Sequence, residues 1–203
     1  MVLEGPWDGK DVGSESLWPF IQQFAQAADL RAYHRMFFDT PSFRHWLGIF
    51  HKNKEAPQSR LLYVAAHGTP GKIEGLAGGI QRRTVFAALR KARSLRYVHF
   101  GCCDFGQPEN LVAALQRSKH LQWAAGYCRE VDWVDATVFD ILFWNRLLRD
   151  IDDEETWRVH FYSLMRTFLV RDVNGLADKL GFVVAYRRGD AIEVLAPPYQ
   201  VES

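Results

Sequence analysis

Three short apolar runs constrain this chain more than any other feature. Leu61 to Ala66 reads LLYVAA, Tyr97 to Cys102 reads YVHFGC, and Gln122 to Val131 reads QWAAGYCREV. Apolar runs of this length without alternation fit strands covered on both faces, the habit of parallel sheets. Helical patterns lie between them: Thr84 to Ala92, ending in basic residues, and Pro108 to Arg117, with proline where a missing N–H costs little. Strands alternating with helices predict an α/β fold, a mostly parallel sheet with helices on both faces. Functional groups in such folds gather at the carboxyl ends of strands, near a switch in strand order.

The flanks extend the same pattern. Val2-Leu3 opens a very short strand, ended by Gly5 and Pro6. Ser14 to Ala28 reads as a helix with Leu17, Phe20, Ile21 and Phe24 on one face and Ser14 or Ser16 as its cap. Arg31 to Phe38 reads as a strand, and Thr40 as the cap of a helix over Pro41 to Phe50. Gly68 to Gly79 is glycine-rich and reads as a loop or short hairpin. Val134 to Leu148 predicts a long amphipathic helix with Val134, Val138, Ile141, Leu142 and Leu148 near its apolar face. The acidic run Asp150–Glu155 suits the first turn of the next helix. After a short helix at Val173 to Leu180, the segments Phe182–Arg187 and Ile192–Leu195 flank Arg188-Gly189-Asp190, a C-terminal hairpin signal.

Length and charge narrow the function classes. The chain has 203 residues, of which 48% are apolar, and reads as one domain over 1–203. Lys and Arg total 25 against 24 Asp and Glu, a formal net charge of +1. So even a balance gives no long-range field for nucleic acid or an acidic membrane. No apolar stretch approaches the roughly 18 residues of a spanning helix. The opening MVLEGPWDGK carries acid early and lacks a basic-then-apolar signal pattern. Three cysteines, two adjacent, make no disulfide framework. The expectation is a soluble, reduced, cytoplasmic protein.

Two of the apolar runs end in reactive residues. Leu61–Ala66 leads into His67-Gly68, and Tyr97–Cys102 into Cys103-Asp104-Phe105-Gly106. The stretch between them holds one crossover helix, so as parallel neighbours the two strands bring His67 and Cys103 to one rim. A thiolate is the attacking species of thiol catalysis, and an adjacent imidazole takes its proton and later returns it to a leaving amine. The backbone N–H groups of Gly68 and Cys103 are candidate donors to the oxyanion. Adjacent strand residues point to opposite faces, so only one of Cys102 and Cys103 can meet His67. A turn histidine and a small buried cysteine are the plain alternatives.

The order apolar strand–His-Gly, crossover helix, apolar strand–small–Cys, then glycine three residues on resembles the caspase-type cysteine peptidases. Within them, Gly101-Cys102-Cys103-Asp104-Phe105-Gly106 and the segment Ala125 to Trp144 are most similar to the CHAT branch. The resemblance spans about Leu61 to Leu148. It implies a caspase-like three-layer sandwich, His67 and Cys103 as the dyad, Cys103 as the nucleophile rather than Cys102, and a regulated bacterial protease of stress or defence signalling. The chain departs from that pattern in having no long acid-rich linker between subunits, and Gly101 where arginine-directed relatives often carry Asp.

Glu4, Trp7 and Asp8 follow the first strand, and Asp132, Trp133 and Asp135 follow the strand after the cysteine. Glu4, Asp8, Asp132 and Asp135 would line the same rim and favour a basic first-site residue, Arg or Lys, on a protein or peptide substrate. For Asp132 and Asp135 the plainer reading is a cap on the helix from Val134. Gly68-Thr69-Pro70-Gly71-Lys72 fails as a phosphate loop on spacing. Arg82-Arg83 with Arg90, Lys91, Arg93 and Arg96 reads as a solvated helix face. His99, Cys102, Cys103 and Cys128 lack metal-ligand spacing, so neither metal nor cofactor is expected. Two rivals to the protease are a catalytically inactive caspase-like scaffold that binds a regulatory partner protein, and a different thiol hydrolase on a flavodoxin-like sheet.

Overall fold

The computed structural model describes residues 1–7, 16–52, 60–149 and 154–199. In chain order the elements are β1 (Val2–Glu4), α1 (Trp18–Ala27), β2 (His34–Met36), α2 (Thr40–Lys52), β3 (Leu61–Ala65), β4 (Gly68–Thr69), β5 (Lys72–Ile73), β6 (Ile80–Gln81) and α3 (Arg82–Lys91). There follow β7 (Tyr97–Gly101), α4 (Pro108–Arg117), β8 (Trp123–Tyr127), α5 (Trp133–Arg149), α6 (Glu154–Thr167), a π-helical turn (Phe168–Asp172), α7 (Asn174–Leu180), β9 (Phe182–Arg188) and β10 (Ala191–Leu195).

Seven strands form one sheet in the order β10-β9-β8-β7-β3-β1-β2. The pairs among β1, β2, β3, β7 and β8 are parallel, while β8–β9 and β9–β10 are antiparallel. Alternation along each strand divides the core. Leu62, Val64 and Ala66 of the β3 run, with Val98, Phe100 and Cys102 of the β7 run, pack on α2, α3 and α4. Tyr63, Ala65, Tyr97, Trp123 and Tyr127 pack on α1, α5, α6 and α7. The result is an α/β three-layer arrangement, closed at one edge by the expected C-terminal hairpin. Chain order reverses between β1 and β3, the place where such sheets collect functional groups.

Local chemistry shifts several expected boundaries. The head of α1 has no side-chain cap; the Trp18 N–H donates to Ser16 Oγ at 3.1 Å, and Ser14 lies outside the described residues. At α2 the cap is Asp39, whose Oδ1 accepts the Ser42 N–H at 2.8 Å, and Thr40 is already helical. β2 is cut to the length of β1, its one strand neighbour among the described residues. The glycine-rich stretch Gly68 to Gly79 holds the expected short hairpin, β4-β5, and β6 just beyond it adds a third antiparallel strand. α6 begins at Glu154, and residues 150–153 lie outside the described ones.

α5 turns the other way from the expected face. Val134, Val138 and Leu142 are 57%, 48% and 40% exposed. The buried side is Ala136, Thr137, Phe139, Asp140, Phe143, Trp144 and Leu147. Among the described residues no helix is long and apolar enough to cross a membrane.

Candidate active site

The ladder joining β3 to β7 ends at Ala65 opposite Gly101. His67 and Cys103 each follow two residues later, so the two strand ends leave the sheet side by side. They are in contact through Gly68. A Cβ at that position would stand 2.7 Å from the Cys103 carbonyl oxygen and 3.0 Å from Cys102 Cβ. Only glycine permits this approach.

The sequence left two sulfurs in competition, and the structure separates them. Cys102 is fully buried, facing α2–α4, and its thiol donates to the Val64 carbonyl at 3.3 Å. Burial pushes the Cys102 thiol well up, so it stays protonated and inert. Cys103 lies past the end of β7 and is partly exposed, its Sγ 4.0 Å from the Val131 carbonyl oxygen. The chain then turns at Asp104, whose φ of 57° is a left-handed conformation. The turn is fixed by the Phe105 N–H to the Cys103 carbonyl (2.7 Å), the Asp104 N–H to the Arg129 carbonyl (3.2 Å) and the Gly106 N–H to the Tyr127 carbonyl (2.9 Å).

His67 is oriented from β1. Its Nε2 lies 2.5 Å from the Trp7 carbonyl oxygen, and the Trp7 ring meets the imidazole edge-on at 5.4 Å. A carbonyl only accepts, so in the neutral ring Nε2 carries the proton and Nδ1 the lone pair. His67 and Cys103 are not hydrogen-bonded to each other: the imidazole meets the Trp7 carbonyl and the thiol faces the Val131 carbonyl.

Both expected oxyanion donors are uncommitted to the sheets. Among the described residues the Cys103 N–H donates to no backbone carbonyl. Gly68 pairs with Ile73 between β4 and β5, while the neighbouring Glu74 N–H donates to the His67 carbonyl at 2.8 Å. Antiparallel pairs alternate between bonded and non-bonded, which puts the Gly68 N–H on the side facing away from β5.

The four rim carboxylates meet different fates. Glu4 is 0% exposed and committed: it accepts Trp7 Nε1–H (2.9 Å), the Leu17 N–H (2.7 Å) and the Ser16 hydroxyl (2.8 Å), and its Oε2 lies 2.7 Å from His34 Nε2. It is an internal clasp instead of a substrate ligand. Burial alone would raise its pKa, but these hydrogen bonds outweigh burial and hold it below the ordinary glutamate value. Asp132 caps α5, accepting the Val134 and Asp135 N–H groups at 2.9 and 3.0 Å. Asp135 is ion-paired with Lys179 of α7. Asp8 lies outside the described residues.

Two features have no counterpart in the sequence reading. Asn110, at the head of α4 and 1% exposed, donates through Nδ2 to the carbonyls of Pro70 (2.8 Å) and Phe105 (3.0 Å). It thereby fastens the β4–β5 turn to the loop after Cys103. Beneath the rim, Tyr63 donates to Asp140 Oδ2 at 2.5 Å, and Tyr127 donates to Oδ1. Trp144 Nε1–H donates to His99 Nδ1 at 3.1 Å, and His99 Nε2 lies 3.1 Å from Asp140 Oδ1 but off the hydrogen-bond line. Burial first, then Asp140, holds both phenols far above the usual range. Gly101 makes room for this cluster, since a Cβ there would fall 2.2 Å from Tyr63 Oη. Where the sequence pattern suggested a missing specificity acid, the space belongs to Tyr63.

Among the described residues no three His, Cys, Asp or Glu side chains converge as a metal ion requires. Fold and rim together define an α/β protein with a cysteine and a histidine on adjacent strand ends. No protein-family model and no curated protein matches the chain.

Proposed function

We propose that the chain is a caspase-type cysteine endopeptidase with Cys103 as nucleophile and His67 as its base and acid. The observation that carries this reading is the hydrogen bond from His67 Nε2–H to the Trp7 carbonyl. It leaves Nδ1 as the proton acceptor on the rim where the partly exposed Cys103 emerges, a nucleophile, a base and an orienting group in sequence. Cys103 passes its proton to His67 Nδ1 and the sulfur attacks the peptide carbonyl carbon. The oxyanion is received by the N–H groups of Gly68 and Cys103. His67 returns the proton to the amine as the C–N bond breaks, and water, deprotonated by the same nitrogen, hydrolyses the thioester. The left-handed Asp104 beside the nucleophile is the kind of local strain that functional turns hold. The parallel strands β2-β1-β3-β7-β8 follow an order that flavodoxin-like sheets share, so the reading rests on the site and not on strand order.

A second reading, the catalytically inactive scaffold, draws on the exposed apolar residues of α5 and on the absence of a hydrogen bond between the dyad members. Peptide acyloxymethyl ketones with Arg, Lys, Asp or Gln at the first site separate the two. A protease gives an adduct on Cys103 by mass spectrometry, lost in Cys103→Ala and in His67→Ala and kept in Cys102→Ala. No adduct from any reagent, or an adduct that survives Cys103→Ala, removes the dyad.

A further inference from the structure

The arginine pair Arg82-Arg83 is exposed to solvent, as expected of a solvated helix face, but it also stands over a concave surface. Together with Arg117 it borders an open concavity of about 720 Å³ whose remaining walls are Pro70, Gly71 and Gln81. No acid lines it, and none of the three guanidinium groups has a carboxylate partner among the described residues. Arg82 and Arg83 also occupy the first turn of α3, where the helix dipole disfavours cations and no acid compensates. No acid among the described residues neutralises this charge, and cations set against the helix dipole point to an anionic ligand.

The concavity is tied to the rim. The Pro70-Gly71 turn lies three residues beyond His67, within about 10 Å of extended chain. The Arg82 N–H donates to the Gly71 carbonyl at 2.9 Å. The buried Asn110 receives one Arg82 Nη1–H at 3.2 Å while its own amide holds the Pro70 and Phe105 carbonyls. One buried side chain therefore positions a guanidinium, the groove wall and the loop after Cys103. Arg117 is braced over the Phe86 ring at 5.6 Å, its N–H edge left for a ligand.

We infer that this groove binds an acidic stretch of polypeptide, seating the carboxylates of a substrate beside the scissile bond. The three arginines offer bidentate donors that suit carboxylates. The chain's net charge of +1 lacks the field that would gather a nucleic acid. Of the acids expected to select a basic residue, Glu4 is buried, Asp132 caps α5 and Asp135 is paired with Lys179, and none of them lines this concavity, whose charged walls are the three arginines. The inference rests on the proposed thiol chemistry only in calling the peptide a substrate.

The test reads binding in the inactive Cys103→Ala chain, by fluorescence anisotropy with a labelled Glu-rich peptide and its Gln counterpart. The Glu-rich peptide binds more tightly at low salt. Arg82→Gln, Arg83→Gln and Arg117→Gln each weaken it about threefold, as partly exposed ion pairs do. Arg90→Gln, at the far end of α3, leaves it unchanged. Equal affinity for the two peptides, or an equal loss in Arg90→Gln, overturns the inference. So does a single-stranded oligonucleotide that binds more tightly than the peptide and is released by the same substitutions. Thiol labelling is scored separately: its failure with peptide binding intact removes the reaction and keeps the groove, and the converse removes the groove alone.

Discussion

Asp140 shows what a single residue can hold together across a fold. It stands on α5, yet it receives hydroxyls from β3 and β8 and faces the imidazole of β7. A buried phenol without an acceptor costs about 1–3 kcal/mol. Replacing Asp140 with Ala leaves Tyr63 without one, while Tyr127 keeps the Ala136 carbonyl at 3.2 Å, and urea denaturation should show a loss of about 3 kcal/mol. Tyr63→Phe and Tyr127→Phe should each cost about 2 kcal/mol. In the Asp140→Ala background the same Tyr63→Phe change should cost less by about 1 kcal/mol, because its partner is already gone. Strict additivity would show that the cluster is a set of independent contacts. None of this is legible in the sequence, where Tyr63, His99, Tyr127 and Asp140 sit in four separate elements. The one available sign is that Tyr63 and His99 interrupt otherwise apolar strands and pair directly across the β3–β7 ladder. The role of Trp7 is hidden for a different reason: it acts through a carbonyl oxygen, which every residue carries.

At the scale of elements, legibility follows from how uniform a face is. β3, β7 and β8 are apolar on both sides, so their runs read directly as buried parallel strands, and α4 matches its expected bounds from Pro108 to Arg117. α5 fails that test. Its buried side includes Thr137 and Asp140, while its solvent side includes Val134, Val138 and Leu142. Hydrophobic periodicity therefore selects the wrong stripe, because α5 buries Asp140 under hydroxyls from β3 and β8 and Thr137 against the helix's own Trp133 carbonyl. The face assignment has a direct check in thermal or chemical denaturation. Phe139→Ala, which empties a site lined by Phe143, Phe168 and Phe182, should cost about 4 kcal/mol. Val138→Lys, one residue earlier, should change stability by less than about 0.5 kcal/mol. The opposite ranking would restore the stripe that the sequence alone suggests.

Across the whole molecule, the proposed dyad draws on the edge of the sheet farthest from the hairpin as much as on its central strands. Glu4 ends β1, grips the head of α1 through Ser16 and Leu17, meets β2 at His34, and holds the indole of Trp7, whose carbonyl orients His67. The carboxylate that reads as a rim ligand in the sequence thus joins the amino-terminal third of the fold to the site. Its depressed pKa fixes the sign of the acid response. Above the ordinary glutamate value of 4.5 both folded and unfolded chains carry the charge, and the full contribution of Glu4 is present. As pH falls below that value the unfolded chain takes up a proton first, so stability drops and the contribution is lost on passing through the lower folded pKa. Glu4→Gln should therefore cost about 2 kcal/mol at neutral pH, and its stability should converge on that of the unsubstituted chain as the solution is acidified. Because Gln offers one acceptor oxygen where Glu4 offers two, the hold on Trp7 and its neighbours loosens in the same variant, and the rate of Cys103 labelling should fall about threefold at neutral pH, where the chain is still folded. A Glu4→Gln chain that loses stability but labels at an unchanged rate would separate the clasp from the site and leave His67 oriented by other means.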